Sequence, residues 1–396
     1  MDNKEQKIEE LLTRGVAEVI DKEHLKKRLL AGEILRIKLG IDPTSPNLHL
    51  GRSVPLLKLR DFQDLGCQVV FIVGDFTGII GDTSDKESER PMLTRDQVES
   101  NMKNYLEQAF RILDKTKTET HYNSEWLSKL GLLELGTMAS IFSLHEFASR
   151  EVIARRLKAD QRVSFHEMLY PLFQGYDSVA VKADVELGGT DQRFNLLAGR
   201  TMQPKYGQAP QDILMTDLIL GTDGRKMSSS WGNTINLLDT PDDMFGKVMS
   251  IPDELIMSYF VHCTRVPMKE IAEIAEDIVT GGNPRDAKMR LGKAIVALYY
   301  GETEGEKAET YFIETFSKKH IPEDVREVKT EKGKKLTDMI AEAGLAESKS
   351  DARRKIEQGG VAIADERITD VSTCIEERFN NQVMRVGKKD FVRIVF

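Results

Sequence analysis

Leu39–Gln63 reads LGIDPTSPNLHLGRSVPLLKLRDFQ, and the change of period inside it decides the fold. Just upstream and into it, Leu35, Ile37, Leu39 and Ile41 alternate with their neighbours, the pattern of a strand. Asp42-Pro43-Thr44-Ser45-Pro46-Asn47 follows, two prolines among small polar residues, which makes a turn. After His49-Leu50-Gly51 the spacing of Leu50, Val54, Leu57 and Leu65 is near-helical, with Lys58, Arg60 and Asp61 on the other side. Strand, polar turn and helix form the unit with which a parallel sheet presents backbone N–H groups and a positive helix end to a phosphate. Gly51 would let a flat ring approach the backbone, and His49 can donate to a phosphate oxygen. Pro55 places the helix start just before it, or else kinks the helix. On spacing alone, an ordinary βα turn carrying an incidental histidine fits equally well.

Upstream, residues 5–31 read as one or two helices, closed by Gly32. Downstream, Gln68–Val73 (QVVFIV) is a short apolar run typical of a buried parallel strand. It leads into Gly74-Asp75-Phe76-Thr77-Gly78-Ile79-Ile80-Gly81-Asp82, where the glycines suggest close approach of a ligand, or simply a tight turn. Asp82–Arg95 is charged and apolar-poor, as solvated loops are, and residues 95–165 are mostly helical with an interruption at His121–Trp126. In His166–Asp177 (HEMLYPLFQGYD), Tyr170, Gln174 and Asp177 fall on one helical stripe beside Leu169, Leu172 and Phe173. That stripe is either a wet face or the polar wall of a pocket. Val185–Asn195 (VELGGTDQRFN) ends a strand and opens a helix that Thr190 or Asp191 can cap. Asp223–Trp231 (DGRKMSSSW) is a hydrophilic loop after the strand-like Ile213–Leu220. Residues 242–316 are helical, 317–335 read as a charged linker, and from Leu336 a short basic helix ended by Gly359-Gly360 precedes short strands.

A chain of 396 residues is long enough for two or three domains. It has no run of eighteen apolar residues, so no membrane partner is expected, and its N-terminus reads as a charged amphipathic helix rather than a signal peptide. Cys67, Cys263 and Cys374 are scattered, without a CxxC pair, which argues against a disulfide framework or a zinc site and for a reducing, cytoplasmic location. The net charge of −8 argues against a general nucleic-acid binder. Residues 331–396, however, carry 13 Lys and Arg against 12 Asp and Glu, so their clustered basic residues can still meet RNA locally.

His49-Leu50-Gly51-Arg52 resembles the HIGH motif of the class I aminoacyl-tRNA synthetases, and Lys226-Met227-Ser228-Ser229-Ser230, about 175 residues further on, resembles their KMSKS motif. GIDPT ahead of the first motif is similar to the tyrosyl-tRNA synthetases in particular, and the resemblance runs from about residue 34 to the C-terminus. Arg52 and Ser229 depart from it, standing where a His and a Lys are usual. The resemblance implies an α/β fold: a Rossmann-like parallel-sheet nucleotide domain over 1–232, with an inserted segment at about 95–165 that can form a homodimer. It further implies a helical anticodon-stem domain over 233–320, a linker over 321–335 and a small α+β S-four-type RNA-binding domain over 336–396.

It also implies tyrosine, ATP with Mg²⁺, and tRNA(Tyr) as partners, no tightly bound cofactor and no protein metal site. The expected reaction forms tyrosyl-adenylate and transfers the tyrosyl group to the terminal adenosine of the tRNA. Thr44, His49, Lys86, Arg90 and Lys226 would stabilise the phosphates. Gly40, Asp42, His49, Gly51, Arg52, Gly188, Gly189, Asp191, Lys226, Met227, Ser228 and Ser229 would bind ATP. Asp42, Thr77, Asp82, Tyr170, Gln174, Asp177 and Gln192 would bind tyrosine, with Asp177 accepting from the phenol. A Tyr that helps bind the phenol in this family aligns with Lys38. Arg353, Arg354, Lys355 and Lys388 would meet tRNA phosphates.

Overall fold

The alternating residues ahead of the polar turn form a central strand. The computed structural model describes residues 3–82, 92–317, 325–364, 366–387 and 390–396. Its first elements are helix α1 (Asn3–Thr13), strand β1 (Val16–Ile20), helix α2 (Lys22–Ala31) and strand β2 (Arg36–Ile41). The helical reading of residues 5–31 therefore missed β1. Gly15, at φ +60°, ends α1, and the β-branched Val16, Val19 and Ile20 suit a pleated surface. After the turn come helix α3 (Leu50–Asp64), strand β3 (Gln68–Val73), the short helix α4 (Thr77–Ile80) and strand β4 (Thr118–Tyr122). Then follow helix α5 (Phe165–Val181), strand β5 (Val185–Gly189), helix α6 (Arg193–Met202) and strand β6 (Asp212–Thr216). Pro55 lies inside α3 without ending it. Its missing N–H leaves the Gly51 carbonyl without its usual helical partner.

The sheet order is β1-β6-β5-β2-β3-β4. Only β1 is antiparallel; β6, β5, β2, β3 and β4 run parallel to one another. From β2 the chain winds one way through β3 and β4, then returns to the other side with β5 and β6. The order thus reverses between β2 and β5, the place where open parallel sheets hold ligands beyond their C-terminal strand ends. Val69 to Val73 of β3 are fully buried, as its unbroken apolar run requires.

The chain forms two compact units, residues 1–311 and 312–396. Helices α7 (Ile256–Cys263) and α8 (Pro284–Tyr300) belong to the first, together with the sheet. Arg14 donates to the carbonyls of Phe260, Val261 and Thr264 at 3.1, 2.9 and 2.7 Å, satisfying groups that the end of α7 leaves open. Tyr299 of α8 donates to Ser53 of α3 at 2.9 Å.

The second unit holds strand β7 (Arg326–Lys329), helices α9 (Leu336–Glu342) and α10 (Lys349–Glu357), and strands β8 (Val361–Ile363), β9 (Glu366–Ile368), β10 (Val383–Val386) and β11 (Asp390–Val395). Its sheet runs β7-β11-β10-β8-β9, around a core that includes Leu336, Ile340, Ile356, Val361 and Ile394. β7 pairs in parallel with β11, Arg326 opposite Val392 and Lys329 opposite Val395. The linker reading of 317–335 is corrected there. Val328 packs on the core while its neighbours are charged, which is how a short edge strand looks in sequence.

Candidate active site

A cavity of about 270 Å³ opens where the strand order reverses. It is walled by the ends of β2 and β5, the first turns of α3 and α4, the Tyr170–Asp177 face of α5, and the loop 226–230. All the described residues that the sequence marks for ATP or tyrosine line it: Gly40, Asp42, Thr44, His49, Gly51, Arg52, Thr77, Asp82, Tyr170, Gln174, Asp177, Gly188, Gly189, Asp191, Gln192, Lys226, Met227, Ser228 and Ser229. Lys86, Arg90 and Lys388 lie outside the described residues.

One side of the cavity is a chain of hydrogen bonds between two carboxylates. The Tyr170 hydroxyl donates to Asp42 Oδ2 at 2.8 Å, and Thr77 Oγ1 donates to Asp42 Oδ1 at 2.7 Å. Asn123 Nδ2 donates both to Thr77 Oγ1 at 2.8 Å and to Asp177 Oδ2 at 3.2 Å. Trp126 Nε1 donates to Asp177 Oδ1 at 2.7 Å. Surrounding protein pushes the Asp42 carboxyl up to about 6, against the pull of Thr77 and Tyr170. Burial pushes Asp177 up to about 7, against Lys38, Trp126 and Asn123. Burial and the neighbouring Asp42 raise the Tyr170 phenol well above its ordinary range, so it keeps the proton it donates.

Gly74 exists for this network: a Cβ there would stand 2.0 Å from Asp42 Oδ1 and 2.4 Å from Thr77 Oγ1. The glycine run after β3 thus makes room first for a side chain. A Cβ at Gly40 would meet nothing within 4 Å, so that glycine leaves the cavity open. Asn123 and Trp126 were missed by sequence reasoning. Their signal was position: they follow β4, whose C-terminal end lies at the same edge as those of β2 and β3.

The other side gathers around the start of α3. His49 precedes its first residue, with extended backbone and no side-chain cap. Leu50 N–H donates to Ile235 O at 2.9 Å and Leu237 N–H to Leu48 O at 2.8 Å, so the segment after loop 226–230 pins the turn. Met227 is buried, and Gly51 N–H points at its sulfur at 3.3 Å. Burial, with the charges of Arg52 and Lys226, lowers the His49 imidazole to about 3. His49 is therefore held neutral, able to donate a hydrogen bond without carrying a charge.

Lys226 Nζ lies 2.9 Å from Asp191 Oδ2. The cap reading of Thr190 or Asp191 is corrected: the helix starts at Arg193 behind Gln192, and neither it nor the 3₁₀ turn Thr190–Gln192 carries a side-chain cap. Arg52 donates to Asp42 O, Tyr105 Oη and Thr44 Oγ1, each at 2.8 Å, all uncharged acceptors. Ser45 Oγ and Ser229 Oγ are 3.2 Å apart, joining the turn to the loop. Gln192 Nε2 donates to Asp82 Oδ2 at 2.6 Å.

Lys38 does not line the cavity; it is buried behind it, 2.8 Å from Glu186 Oε1. Among the described residues, Tyr170 is the one tyrosine that lines the cavity. In the second unit, Arg353 and Arg354 of α10 are exposed and paired with Glu357 and Asp351 at 3.0 and 2.7 Å. Lys355 is half-buried and donates to Leu345 O at 2.9 Å. Among the described residues, the one cluster able to hold a metal is Asp21, His24 and Asp212, which does not line the cavity.

Residues 30–317 match the family model described as tRNA synthetases class I (W and Y), and residues 317–394 match the tyrosine–tRNA ligase SYY-like C-terminal domain. The tyrosine–tRNA ligase of Thermotoga maritima is 46% identical over 97% of this chain and 96% of its own length. Tyrosine–tRNA ligase 2 of Vibrio cholerae is 44% identical over 97% of each. Among solved structures, the tyrosyl-tRNA synthetase of Archaeoglobus fulgidus complexed with L-tyrosine superposes with a TM-score of 0.61 at 25% identity, covering 77% of this chain and 99% of that one.

Proposed function

The chain belongs to the class I tRNA synthetases of the tryptophan and tyrosine type, and from that membership we infer how its own residues carry out the reaction. The reaction is the ligation of tyrosine to tRNA(Tyr). The tyrosine carboxylate attacks the α-phosphate of ATP, giving tyrosyl-adenylate and pyrophosphate. A ribose hydroxyl of the terminal adenosine then attacks the tyrosyl carbonyl, forming the ester and breaking its bond to phosphate, so that AMP leaves.

The protein supplies position and electrostatics. Asp177 accepts from the phenol, its remaining acceptor capacity held in place by Asn123 and Trp126. Asp42, with Tyr170, Gln174 and Thr77, receives the ammonium end, and Asp82 and Gln192 flank it. Thr44, neutral His49, Arg52 and Lys226 face the phosphates, and Asp191 with the Gly188-Gly189 backbone takes the ribose side. Lys86 and Arg90 add cations to the departing pyrophosphate. Mg²⁺ arrives with ATP as counter-ion of its phosphates. Arg353, Arg354, Lys355 and Lys388 meet tRNA phosphates.

The chain acts as a homodimer in the cytoplasm. In support, Leu132, Leu133, Leu144 and Phe165 of the inserted segment are exposed, and ATP and tRNA are cytoplasmic substrates. No described helix is long and apolar enough to cross a membrane.

The observation that carries this reading is the buried Asp177 carboxylate facing the cavity between two donors. Pyrophosphate exchange with each amino acid in turn tests it. Exchange should be supported by tyrosine and barely by phenylalanine, which would leave that carboxylate desolvated and unpaired. Asp177→Ala should reduce tyrosine use far more than phenylalanine use. Equal falls would remove Asp177 from the specificity site.

A further inference from the structure

Lys38 of β2 and Glu186 of β5 are directly paired positions on adjacent parallel strands, 0% and 1% exposed. The three ammonium protons of Lys38 are all used: on Glu186 Oε1, on Gln174 O and on Ser178 Oγ, each at 2.8 Å. Glu186 Oε1 also accepts from Gln174 Nε2 at 3.2 Å, and its Oε2 accepts from Ser178 Oγ at 2.9 Å and Gln211 Nε2 at 2.5 Å. Helix α5 is therefore gripped at Gln174 by main chain and side chain, and again at Ser178, the residue next to Asp177. Neither member of the pair reaches the cavity.

An ion pair this deeply buried adds little to stability. Desolvation offsets its attraction, and an apolar pair of similar volume is often as stable or more so, whereas removing one partner strands a charge. At Asp177 its two charges act in opposite senses, Lys38 favouring the carboxylate more than Glu186 disfavours it. Beyond that pull, the pair contributes geometry.

We propose that the Lys38–Glu186 pair is a specificity-determining positioning device that sets the rotation of α5, and so aims Gln174 and Asp177 at tyrosine. The proposal rests on the reading of the cavity given above. It explains a polar network of strand-to-helix contacts where apolar residues would pack at least as well.

The test is the double variant Lys38→Met/Glu186→Leu, with Glu186→Gln as the conservative change. The double variant should stay folded, although it removes the partners of Ser178, Gln174 and Gln211 on the pair, and should keep its ATP KM and its exchange rate at saturating tyrosine. Its tyrosine KM should rise about tenfold, the equivalent of ~1.4 kcal/mol, and its preference for tyrosine over phenylalanine should fall alongside. Glu186→Gln should shift tyrosine KM in the same direction, and it decides the matter if the double variant fails to fold. Unchanged tyrosine KM and discrimination, or equal rises in tyrosine and ATP KM, would overturn the proposal. Asp177→Ala run in parallel separates the two failures: if it leaves discrimination intact, the reading of the cavity fails. If it abolishes discrimination while the pair variants do not, only the positioning role fails.

Discussion

At Asp177, burial and hydrogen bonding pull in opposite directions, and burial wins. The carboxyl goes from 3.8 to about 7. Well below pH 3.8 it is protonated whether the chain is folded or not, and its charge costs the fold little. Above about pH 7 it is charged in both states, and the folded state bears the desolvation in full. Stability attributable to this group therefore falls as pH rises between those values. Asp177→Asn should raise the melting temperature more at about pH 8 than at about pH 4, the loss of an acceptor being common to both. Tyrosine affinity runs the other way, because the phenol needs a carboxylate. Its Kd should rise as pH drops through about 7, and further through about 6 as Asp42 protonates. Calorimetric titration in steps from pH 8 to 5 checks this, and a flat Kd would exclude both groups. On the phosphate side, Arg52 already offers a cation held by three neutral acceptors. Lys226→Ala should lower the exchange rate on the order of 10²-fold, the usual effect of losing one transition-state donor. Ser229→Lys should leave the rate similar or higher. A wild-type rate in Lys226→Ala would take loop 226–230 out of the mechanism.

At the scale of elements, β7 shows how little a short strand announces itself. REVK carries one apolar residue among three charges, and only its pairing with β11 makes it a strand. The consequence is testable by truncation. A chain ending at Tyr311 keeps the whole first unit, so it should retain tyrosine-dependent pyrophosphate exchange and lose most tRNA charging. For the second unit alone, a fragment over 325–396 should melt cooperatively, while one over 333–396 should melt lower because β11 loses its parallel neighbour. Equal melting would mean that β7 contributes nothing to that sheet. A Tyr311-terminated chain that charges tRNA normally would contradict the role given to α10. The charges on α10 were legible from helical spacing; that two of its cations are already paired with Glu357 and Asp351 was not.

For the whole molecule, the exposure of Leu132 (90%) and Leu133 (86%) is the strongest physical argument for a second copy, since large apolar side chains fully in water invite burial. The wild-type chain should sediment as a dimer at micromolar concentration. The double change Leu132→Glu and Leu133→Glu should shift it to monomer with its circular dichroism unchanged, because neither side chain belongs to the core. A wild-type monomer would end the proposal. The molecule's net charge of −8 includes a nearly neutral C-terminal stretch, so charge favours that stretch over the rest of the surface for the RNA contact proposed above.

Properties local to the chain were determined by sequence alone. The switch from period two to helical period at Asp42–His49 specifies a strand, a turn and a helix, because side-chain alternation depends only on neighbouring residues. The candidates for ATP and tyrosine came from the resemblance to the tyrosyl-tRNA synthetases; periodicity alone gave strand ends, turns and one polar helical stripe. Tertiary structure alone decided which of these ends meet. β4 lies beside β3, so Asn123 and Trp126 reach Asp177; β2 lies beside β5, so Lys38 reaches Glu186. Strand order brings together residues about 50 to 150 apart in the chain, and a buried carboxylate takes its partners from whatever that order delivers. No periodicity records such a choice, which is why the pocket's outline was readable in the sequence and the groups that hold its carboxylates were not.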